Sequence, residues 1–408
     1  MEGRMDYKRL IVMVLLVLSM RVCGQDFDRW FTGGTLRIDC LREGSALGDT
    51  VWVERWMVRG GEWFGSRTQL LDPFDNGDYR IVLRDAATGR ELYSRGYSNL
   101  FREYKDTPEG RTVAARFEET LLVPMPRGAV VVALQRRDGD MRLVDQTAVL
   151  FDPARFGAAG GRRPVAGGRW PESSRKMDVA FVMQGFDGVD EETYGAVCRR
   201  MEGVLVGKEP FRSHRDDFSV HFVRGDAGVE YNTFGADRYA MTFKVWQLHD
   251  LLDTTPCDHI IIVVNNEKYG GGAIYNFYSV SSLHRMAESV LPHELGHGIG
   301  GLADEYVDED LSYADLHRTA YEPLEPNITN LVDFGSKWQR LLPEGTAVPT
   351  GDVDVPRGEN GPIGVYEGAG YSAKGVYRPA MHCMMRDYAP FCPVCRERLE
   401  AVFKLYTR

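Results

Sequence analysis

The stretch Leu291–Tyr306 constrains this chain more than any other, because it places two histidines, a glutamate and a pair of glycines in one short segment. His293 and His297 are four residues apart, so on a helix both imidazoles leave the same face and can share a tetrahedral metal ion. With Glu294 they form the pattern H-E-x-x-H, in which the histidines hold zinc and the glutamate accepts a proton from an attacking water. The stretch therefore predicts a helix organised around a hydrolytic metal ion.

The glycines after His297 predict how a third ligand reaches the metal. Gly300 and Gly301 can break the helix with positive φ and swing the chain back under the metal ion. Asp304 or Glu305 would then supply a third ligand and leave a fourth position open, as hydrolysis requires. The alternative is a surface helix that carries two histidines without binding a metal. The residues after the motif favour the catalytic interpretation.

Residues 1–24 are predicted to be a signal peptide. Lys8 and Arg9 precede an apolar run at residues 10–20, and the small residue Gly24 provides a cleavage site. The run is too short to span a bilayer comfortably, so an uncleaved membrane anchor is the weaker alternative. We therefore expect export to the periplasm, the cell surface or the medium, with no stable insertion into the membrane.

Length and charge limit the class of protein. The chain has 408 residues, which predicts two domains, and a net charge of −10, which argues against a nucleic-acid partner because such partners require basic surfaces. It has seven cysteines, of which Cys23 leaves with the signal peptide. The even number that remains permits disulfides in an oxidising compartment.

Residues 25–156 are predicted to form an antiparallel β-sandwich that acts as an accessory domain. Short strand-like runs are bounded by turn sequences such as Asn76-Gly77, without a helical pattern or a catalytic cluster. The glycine-rich segment 157–170 resists packing and predicts a linker. The predicted strands lie at residues 35–41, 79–84, 112–122, 129–136 and 141–150.

Residues 171–408 are predicted to form a mixed α/β catalytic domain, so the fold class of the whole chain is α+β. Strand patterns alternate with helical ones, and the most apolar strand, 259–264, is expected at the centre of the sheet. Residues 273–280 are predicted as a further strand after the glycines 270–272. At the edge of the sheet it could pair with an extended peptide; the alternative is a glycine-rich turn between interior strands.

The segment His293–Tyr306 resembles the metzincin metallopeptidases, and its last six residues are similar to the M64 family, which includes bacterial immunoglobulin A peptidases. The resemblance extends from about residue 177 to 400, and the order of its motifs makes it specific. The N-terminal half looks like the leading β-domain of that family. Further motifs that match the family lie at residues 366–371, 375–379, 382–386 and 392–395.

The resemblance implies a site with one catalytic zinc ion. The two histidines of the H-E-x-x-H pattern match the zinc ligands of the family, and Glu294 matches its general base. The usual metzincin spacing places the third ligand at Ala303, which cannot bind a metal. Asp304 is therefore predicted as the third ligand, with Glu305 as the alternative, because a carboxylate is compatible with zinc.

The turn at Cys383–Arg386 resembles the metzincin turn whose methionine lies beneath the metal without binding it. Met385 is assigned to this position, where a flexible thioether fills the gap below the imidazoles. Tyr388 is predicted to donate its hydroxyl to the oxyanion of the tetrahedral intermediate, and Tyr371 is a weaker candidate for the same role.

Cys383, Cys392 and Cys395 lie close together near the C terminus, and two interpretations of them are open. The C-x-x-C pair could be half of a structural zinc site, but no fourth ligand is evident beyond His382. Export favours a disulfide from Cys383 to Cys392 or Cys395, which would brace the turn under the metal.

Together these features predict an exported zinc-dependent endopeptidase that acts on protein or peptide substrates. An amidase or peptidase acting on cell-wall peptides would use the same metal chemistry and is the first alternative. The second is a noncatalytic module that binds a protein or a glycan. Glu294 argues against that module, which has no need for a base beside the metal. The sequence does not identify immunoglobulin as the substrate.

Overall fold

The computed structural model describes residues 27–158, 176–308, 310, 317 and 320–407. The predicted signal peptide lies outside the described residues, as does the predicted linker except for residues 157 and 158, which end a helix. The predicted division into two domains stays a prediction. Every helix in the described part of the chain is too short or too polar to span a bilayer.

The described residues form strands, α-helices and short 3₁₀ turns. The strands are β1 Phe31–Ser45, β2 Gly48–Glu62, β3 Tyr79–Asp85, β4 Glu91–Tyr97, β5 Ala115–Pro126, β6 Val130–Arg137, β7 Leu143–Phe151, β8 Met177–Gln184, β9 Phe218–Arg224, β10 Val229–Glu230, β11 Met241–Thr242, β12 His259–Val264, β13 Gly272–Ile274, β14 Tyr278–Ser282, β15 Tyr366–Ala369 and β16 Ser372–Arg378. The helices are α1 Phe27–Trp30, α2 Phe101–Tyr104, α3 Pro153–Ala158, α4 Glu191–Leu205, α5 Val245–Leu251, α6 Ala287–Gly298, α7 Met384–Asp387 and α8 Pro393–Thr407. The 3₁₀ turns are Arg215–Asp217, Thr233–Gly235, Phe334–Ser336 and Gln339–Leu341.

The N-terminal strands form two antiparallel sheets. One has the strand order β2-β1-β5 and the other the order β4-β3-β6-β7. Leu36, Ile38 and Cys40 alternate along β1 and are completely buried. They share one apolar core with Ile81 and Leu83 of β3. The prediction of antiparallel β structure in this region is confirmed.

The sequence prediction misses β2 and β4, of which β2 is a half-buried strand with several charged residues. Arg59 of β2 is only 1% exposed and donates to the carbonyl of Leu252. In the neighbouring β1, Arg37 is completely buried between Asp39, at 2.8 Å, and Asp250, at 2.6 Å. Pairing with polar groups inside the protein offsets the cost of burying these charges.

The C-terminal strands form a five-stranded sheet of order β13-β14-β12-β8-β9, in which β13 is antiparallel to β14 and the other pairs are parallel. The central strands β8 and β12 are buried on both faces, as the apolar sequence of β12 predicts. Phe181 packs in one core with Leu295 of α6. Val182 and Ile262, on the opposite face, join the core of the N-terminal sheets. The fold class α+β is confirmed, and the metzincin-like arrangement stays a prediction.

Polar contacts also join the two halves of the chain. The backbone N–H of Trp246 donates to Glu118 Oε2 at 2.9 Å, and its indole N–H donates to the carbonyl of Glu119 at 3.1 Å. Near the C-terminal end of α6, Asn76 Nδ2 donates to the carbonyl of Gly301 at 3.3 Å. These contacts hold the N-terminal sheets beside the helix that carries the H-E-x-x-H motif.

Candidate metal centre

Helix α6 carries the H-E-x-x-H motif on its polar side. Leu291, Leu295 and the capping residue Ile299 are spaced four residues apart and are buried in the core. Gly301 ends the helix with a φ of +60°, and its N–H donates to the carbonyl of His297 at 2.9 Å. This turn brings the following residues back to the face that carries the histidines.

His293, His297 and Asp304 form a compact triangle of possible ligand atoms. The Nε2 atoms of the two histidines are 3.2 Å apart, and Asp304 Oδ1 lies 3.1 Å from His293 Nε2 and 3.3 Å from His297 Nε2. Ligand atoms about 2.0–2.1 Å from a tetrahedral metal ion lie about 3.3 Å from one another. The three atoms are therefore spaced as one face of a tetrahedral metal site, with the fourth position left to another ligand.

Backbone carbonyls fix both imidazoles in the orientation that metal binding needs. His293 Nδ1 donates to the carbonyl of Met384 at 2.9 Å, and His297 Nδ1 donates to the carbonyl of Leu302 at 2.6 Å. Because a carbonyl only accepts, Nδ1 carries a proton in each ring, and Nε2 is the ring nitrogen that faces Asp304.

The two carboxylate oxygens of Asp304 have different surroundings. Oδ2 accepts a hydrogen bond from the hydroxyl of Tyr371 at 2.6 Å. Oδ1 is buried and accepts no hydrogen bond from any described residue, although it faces both Nε2 atoms. A buried carboxylate oxygen without a donor is destabilising unless a cation or a proton neutralises it. Two imidazoles and one carboxylate are a donor set that suits zinc.

Charge holds the triangle together in the metal-free chain. Burial lowers the pKa of His297, but the negative charge of Asp304 outweighs this effect and raises that pKa to about 9. Burial raises the pKa of Asp304, but the neighbouring histidines hold it well below its usual range. A bound divalent cation would replace the positive charge that a protonated imidazole carries in the metal-free chain.

Glu294 lies beside this triangle and is 9% exposed. Burial raises the pKa of its carboxyl group, although the charges of His293 and His297 oppose the shift. A Cβ at Gly271 would lie 3.0 Å from Glu294 Oε1, so the backbone that leads into β13 passes directly beside the carboxylate. A carboxylate with a raised pKa beside the metal position can accept a proton and return it.

Met385 packs against the middle of α6 and is completely buried. A Cβ at Gly296 would lie only 2.4 Å from Met385 Sδ, so the lack of a side chain at Gly296 lets the thioether approach the helix between the two histidines. The carbonyl of Met385 accepts a hydrogen bond from the N–H of Glu305 at 2.8 Å. The turn under the helix is thereby linked to the segment that carries Asp304.

Two tyrosines contact the triangle in different ways. The ring of Tyr388 lies edge-on against His293, with a centroid distance of 5.6 Å and an interplanar angle of 80°. Its hydroxyl forms a hydrogen bond of 2.6 Å with the hydroxyl of Tyr269, and burial raises the pKa of Tyr388, so the hydroxyl keeps its proton. Tyr371 instead donates to Asp304. Sequence reasoning misses Tyr269, which belongs to no recognised motif.

Glu305, the alternative third ligand, points towards the cysteines. It is completely buried, and its Oε1 accepts a hydrogen bond from Asn327 Nδ2 at 2.9 Å and lies 3.3 Å from Cys395 Sγ. Asp304 is therefore the acid that the structure brings to the histidines, and Glu305 belongs to a different cluster.

The disulfide expected between Cys383 and Cys392 or Cys395 is not formed in the structure. All three are free thiols, and the Sγ atoms of Cys383 and Cys395 are 3.7 Å apart. The expectation assumed that the cysteines pair with one another. The structure groups them around Glu305, whose position ninety residues earlier in the chain the sequence does not reveal.

Asn327 fixes the segment between the two acids and is also missed by sequence reasoning. Its amide N–H groups donate to the carbonyl of Ala303 and to Glu305 Oε1, both at 2.9 Å, while its Oδ1 accepts from the N–H of Ala303 at 2.8 Å. These partners are more than twenty residues away in the sequence, so no local pattern could indicate the role of Asn327.

A cleft of about 940 Å³ opens over the triangle. Tyr269, Glu294 and Tyr388 line it from the C-terminal half of the chain, and Arg102 and Glu103 line it from the N-terminal half. The predicted accessory region is therefore part of the cleft wall and can contact a molecule that binds there.

Comparisons with known proteins point to one family. A family model described as Peptidase M64 N-terminus matches residues 26–147, and one described as IgA Peptidase M64 matches residues 221–360 and 356–403. Among solved structures, metalloproteinase-II from Bacteroides fragilis is 10% identical over 48% of this chain and 80% of that protein, with a TM-score of 0.20, which is too low to establish a shared fold. No curated protein matches the chain significantly.

Proposed function

This chain belongs to the peptidase M64 family, a family of metallopeptidases, and from this premise we propose that it is an exported zinc-dependent endopeptidase. His293, His297 and Asp304 would hold one zinc ion, and the substrate would be a protein or a peptide. One observation carries the proposal. The buried Asp304 Oδ1, without a hydrogen-bond donor among the described residues, faces two Nε2 atoms whose rings are fixed through Nδ1.

The residues around the triangle support hydrolysis of a peptide bond. Zinc bound there would supply a Lewis acid that lowers the pKa of water towards about 7. Glu294 accepts the proton of the attacking water and later donates it to the leaving amine. The raised pKa of Glu294 suits both steps, because a group that ionises closer to neutral pH can both take up and release a proton. Tyr388, whose hydroxyl is oriented by Tyr269, donates to the oxyanion.

Strand β13 offers a backbone edge to the substrate. Gly271, just before this strand, donates its N–H to the carbonyl of Arg238 and accepts at its carbonyl from the N–H of Ala240, both at 3.1 Å. Ala273, two residues further along, is half-buried and lines the cleft. An extended substrate segment in the cleft would pair with Ala273 and lie beside Glu294.

The cleft is large enough for a peptide substrate. At about 940 Å³ it lies near the upper end of the range of about 300–1,000 Å³ for small-molecule pockets, which leaves room for several residues of an extended chain. Main-chain pairing at Ala273 would hold such a segment without reading its side chains, and Arg102 and Glu103 on the opposite wall would contact side chains.

Digestion of a denatured proteome tests the proposed activity. The purified zinc-loaded protein is incubated with a denatured proteome, and new peptide termini are identified by mass spectrometry. We expect internal cleavage by the wild type, and none by Glu294→Gln even though it binds zinc as tightly. Cleavage by Glu294→Gln at the wild-type rate would exclude Glu294 as the general base. The same protein is also incubated with purified cell-wall fragments. Cleavage of these fragments but not of the denatured proteome would favour the amidase alternative.

Export is tested separately, because it rests on the sequence of residues 1–24. The full-length chain is expressed in a bacterium, the cells are fractionated, and the N terminus of the protein is sequenced. We expect the protein outside the cytoplasm with Gln25 as its first residue. A cytoplasmic protein that retains Met1 would contradict the proposal.

A further inference from the structure

A second group of possible metal ligands lies apart from the histidine triangle. It consists of Glu305, Cys383, Cys392 and Cys395, which each offer one ligand atom within 4.8 Å of the others. All four residues are completely buried, and the three thiols are not oxidised. The proposed peptidase mechanism uses none of these side chains, so their grouping needs an explanation of its own.

The spacing of the ligand atoms fits a tetrahedral zinc site. The Sγ atoms of Cys383 and Cys395 are 3.7 Å apart, and Cys395 Sγ lies 3.3 Å from Glu305 Oε1. With zinc–sulfur distances of about 2.3 Å and zinc–oxygen distances of about 2.0–2.2 Å, the edges of a tetrahedron are about 3.8 Å between two sulfurs and about 3.5 Å between sulfur and oxygen. Both observed distances lie close to these values.

One carboxylate oxygen of Glu305 also lacks a hydrogen-bond partner among the described residues. Its Oε1 accepts from Asn327, but its Oε2 is buried and has no hydrogen-bond partner among the described residues. The positive charge of the buried Arg378 acts on Glu305, but Nη1 of Arg378 donates its hydrogen bonds to the carbonyls of Glu367 and Gly368. A carboxylate oxygen that is completely buried without a donor is destabilising, and a metal ion among three thiols would remove that penalty.

Two of the three cysteines lie at the N terminus of a helix. Cys392 immediately precedes α8 and Cys395 lies in its first turn, where the partial positive charge of the helix N terminus stabilises a negative sulfur. The N–H of Cys392 donates to Cys383 Sγ at 3.4 Å. The C-x-x-C spacing supplies half of a zinc site, and Cys383 and Glu305 complete it.

We infer that Glu305, Cys383, Cys392 and Cys395 bind a second, structural zinc ion. Four protein ligands fill a tetrahedral coordination sphere, so this ion has no position for water and takes no part in hydrolysis. The ion would tie together two segments that build the catalytic site: Glu305 directly follows Asp304, and Cys383 lies two residues before Met385. The hydrogen bond from Glu305 N–H to the carbonyl of Met385, 2.8 Å long, joins the same segments.

The first test measures the zinc content of a variant that lacks the histidine site. Zinc per chain is measured by inductively coupled plasma mass spectrometry in the wild type and in the double variant His293→Ala, His297→Ala, with folding checked by circular dichroism. We expect about two zinc ions in the wild type and about one in the double variant. A folded double variant without zinc would overturn the inference. The inference does not require peptidase activity, because the count is made in an inactive protein.

Cobalt substitution identifies the ligands of the remaining ion. In the double histidine variant, cobalt bound to thiolates gives a near-ultraviolet charge-transfer absorption that imidazole and carboxylate ligands do not give. Adding Cys395→Ser should reduce this absorption and the metal content, whereas Cys198→Ser, which removes a buried thiol of α4, should change neither. Cobalt binding without a thiolate band would overturn the inference.

Thiol counting separates the zinc site from a disulfide without any variant. The exported wild-type protein is denatured with a chelator and no reductant, alkylated and digested. We expect Cys383, Cys392 and Cys395 all to carry the alkyl label, because thiolates released from zinc are reduced. A disulfide-linked peptide joining Cys383 to either of the others would overturn the inference.

Discussion

Asp304 and Glu305 are consecutive residues whose carboxylates enter different clusters. Asp304 Oδ1 lies 3.1 Å from His293 Nε2, whereas Glu305 Oε1 lies 3.3 Å from Cys395 Sγ. The segment that carries both acids is fixed by the hydrogen bonds of Asn327 to Ala303 and to Glu305. The two clusters therefore share one short piece of backbone.

Removing the charge of Asp304 should weaken metal binding at the histidines. Asp304→Asn keeps the size of the side chain but replaces an anionic ligand with a neutral amide, so we expect zinc affinity at this site to fall by at least about 100-fold, with loss of activity. Competition with a chromophoric chelator measures the affinity. Glu305→Gln is the comparison variant: its carboxylate faces the cysteines, so it should weaken the histidine site less than Asp304→Asn does. If Glu305→Gln weakens the histidine site and Asp304→Asn does not, the assignment of the third ligand is wrong.

The hydroxyl of Tyr371 should strengthen metal binding at the same site through its hydrogen bond to Asp304. Tyr371→Phe removes the donor to Asp304 Oδ2, and loss of a partner that orients a metal ligand typically weakens metal binding by about 10–100-fold. Tyr366→Phe removes a comparable hydroxyl, which donates to the carbonyl of Pro362, and should leave zinc affinity unchanged. Equal affinities in all three proteins would show that the hydrogen bond of Tyr371 does not orient the carboxylate.

Tyr388 should act on the rate of the reaction and not on the binding of metal. If its hydroxyl donates to the oxyanion, Tyr388→Phe should lower kcat by about 100- to 1,000-fold with a small change in KM. Tyr269→Phe, which removes the partner of that hydroxyl, should lower kcat less. Steady-state kinetics on a fluorogenic peptide gives both constants, and zinc content serves as the control. A kcat of Tyr388→Phe equal to that of the wild type would remove Tyr388 from the mechanism.

The part of the site that could be predicted is the part encoded locally. His293, Glu294 and His297 lie on one helix, and the glycine turn that follows brings the chain back towards them, so spacing indicates a site with Asp304 or Glu305 as the third ligand. The partner of Tyr371 lies 67 residues earlier in the chain, and the carboxylate that joins the cysteines lies 90 residues before Cys395. Such pairings arise from tertiary packing, which a local pattern does not encode.

In the fold, too, a strand with a simple sequence pattern was predicted and a strand without one was missed. Strand β12 is a continuous apolar run, and its central position in the sheet follows directly from that composition. Strand β2 is half-buried and carries several charged residues, of which Arg59 is buried, so its sequence lacks a regular alternation of apolar and polar residues. The prediction of strands therefore fails where a strand lacks a regular apolar pattern, and the prediction of the cysteine cluster fails because Glu305 is distant in the sequence.

Gly296 should be intolerant of a side chain because it lies against Met385. A Cβ at Gly296 would lie 2.4 Å from Met385 Sδ and 3.2 Å from the ring of Phe391, so Gly296→Ala should lower the free energy of unfolding by about 1–3 kcal/mol. Gly203→Ala in α4 is the control, because no atom lies within 4 Å of the Cβ it would add; it should stabilise the protein by about 0.5–1 kcal/mol. Urea unfolding of the metal-free proteins measures both. Equal effects of the two substitutions would show that Met385 does not pack closely against α6.

Glu103 should make the stability of the metal-free protein depend on pH. Burial raises the pKa of this carboxyl group from 4.5 to about 7, although the hydroxyl of Tyr239, at 2.9 Å from Oε1, partly opposes the shift. Below pH 4.5 the group is protonated in both the folded and the unfolded chain. As pH rises from 4.5 to about 7, the unfolded chain loses the proton first, so the contribution of Glu103 to stability falls, by up to about 3 kcal/mol, and is constant above that range.

Glu103→Gln separates this titration from the other ionisable groups, because the amide oxygen still accepts from Tyr239 but cannot ionise. Urea unfolding of the wild type and of Glu103→Gln is measured at several pH values between 4 and 8 in the presence of a chelator. The stability of the wild type relative to the variant should decrease across that range, whereas Glu109→Gln, which changes an exposed carboxyl group nearby, should run parallel to the wild type. A constant difference between the wild type and Glu103→Gln would mean that Glu103 ionises alike in the folded and unfolded chains, and that the cleft wall formed by α2 is open to water.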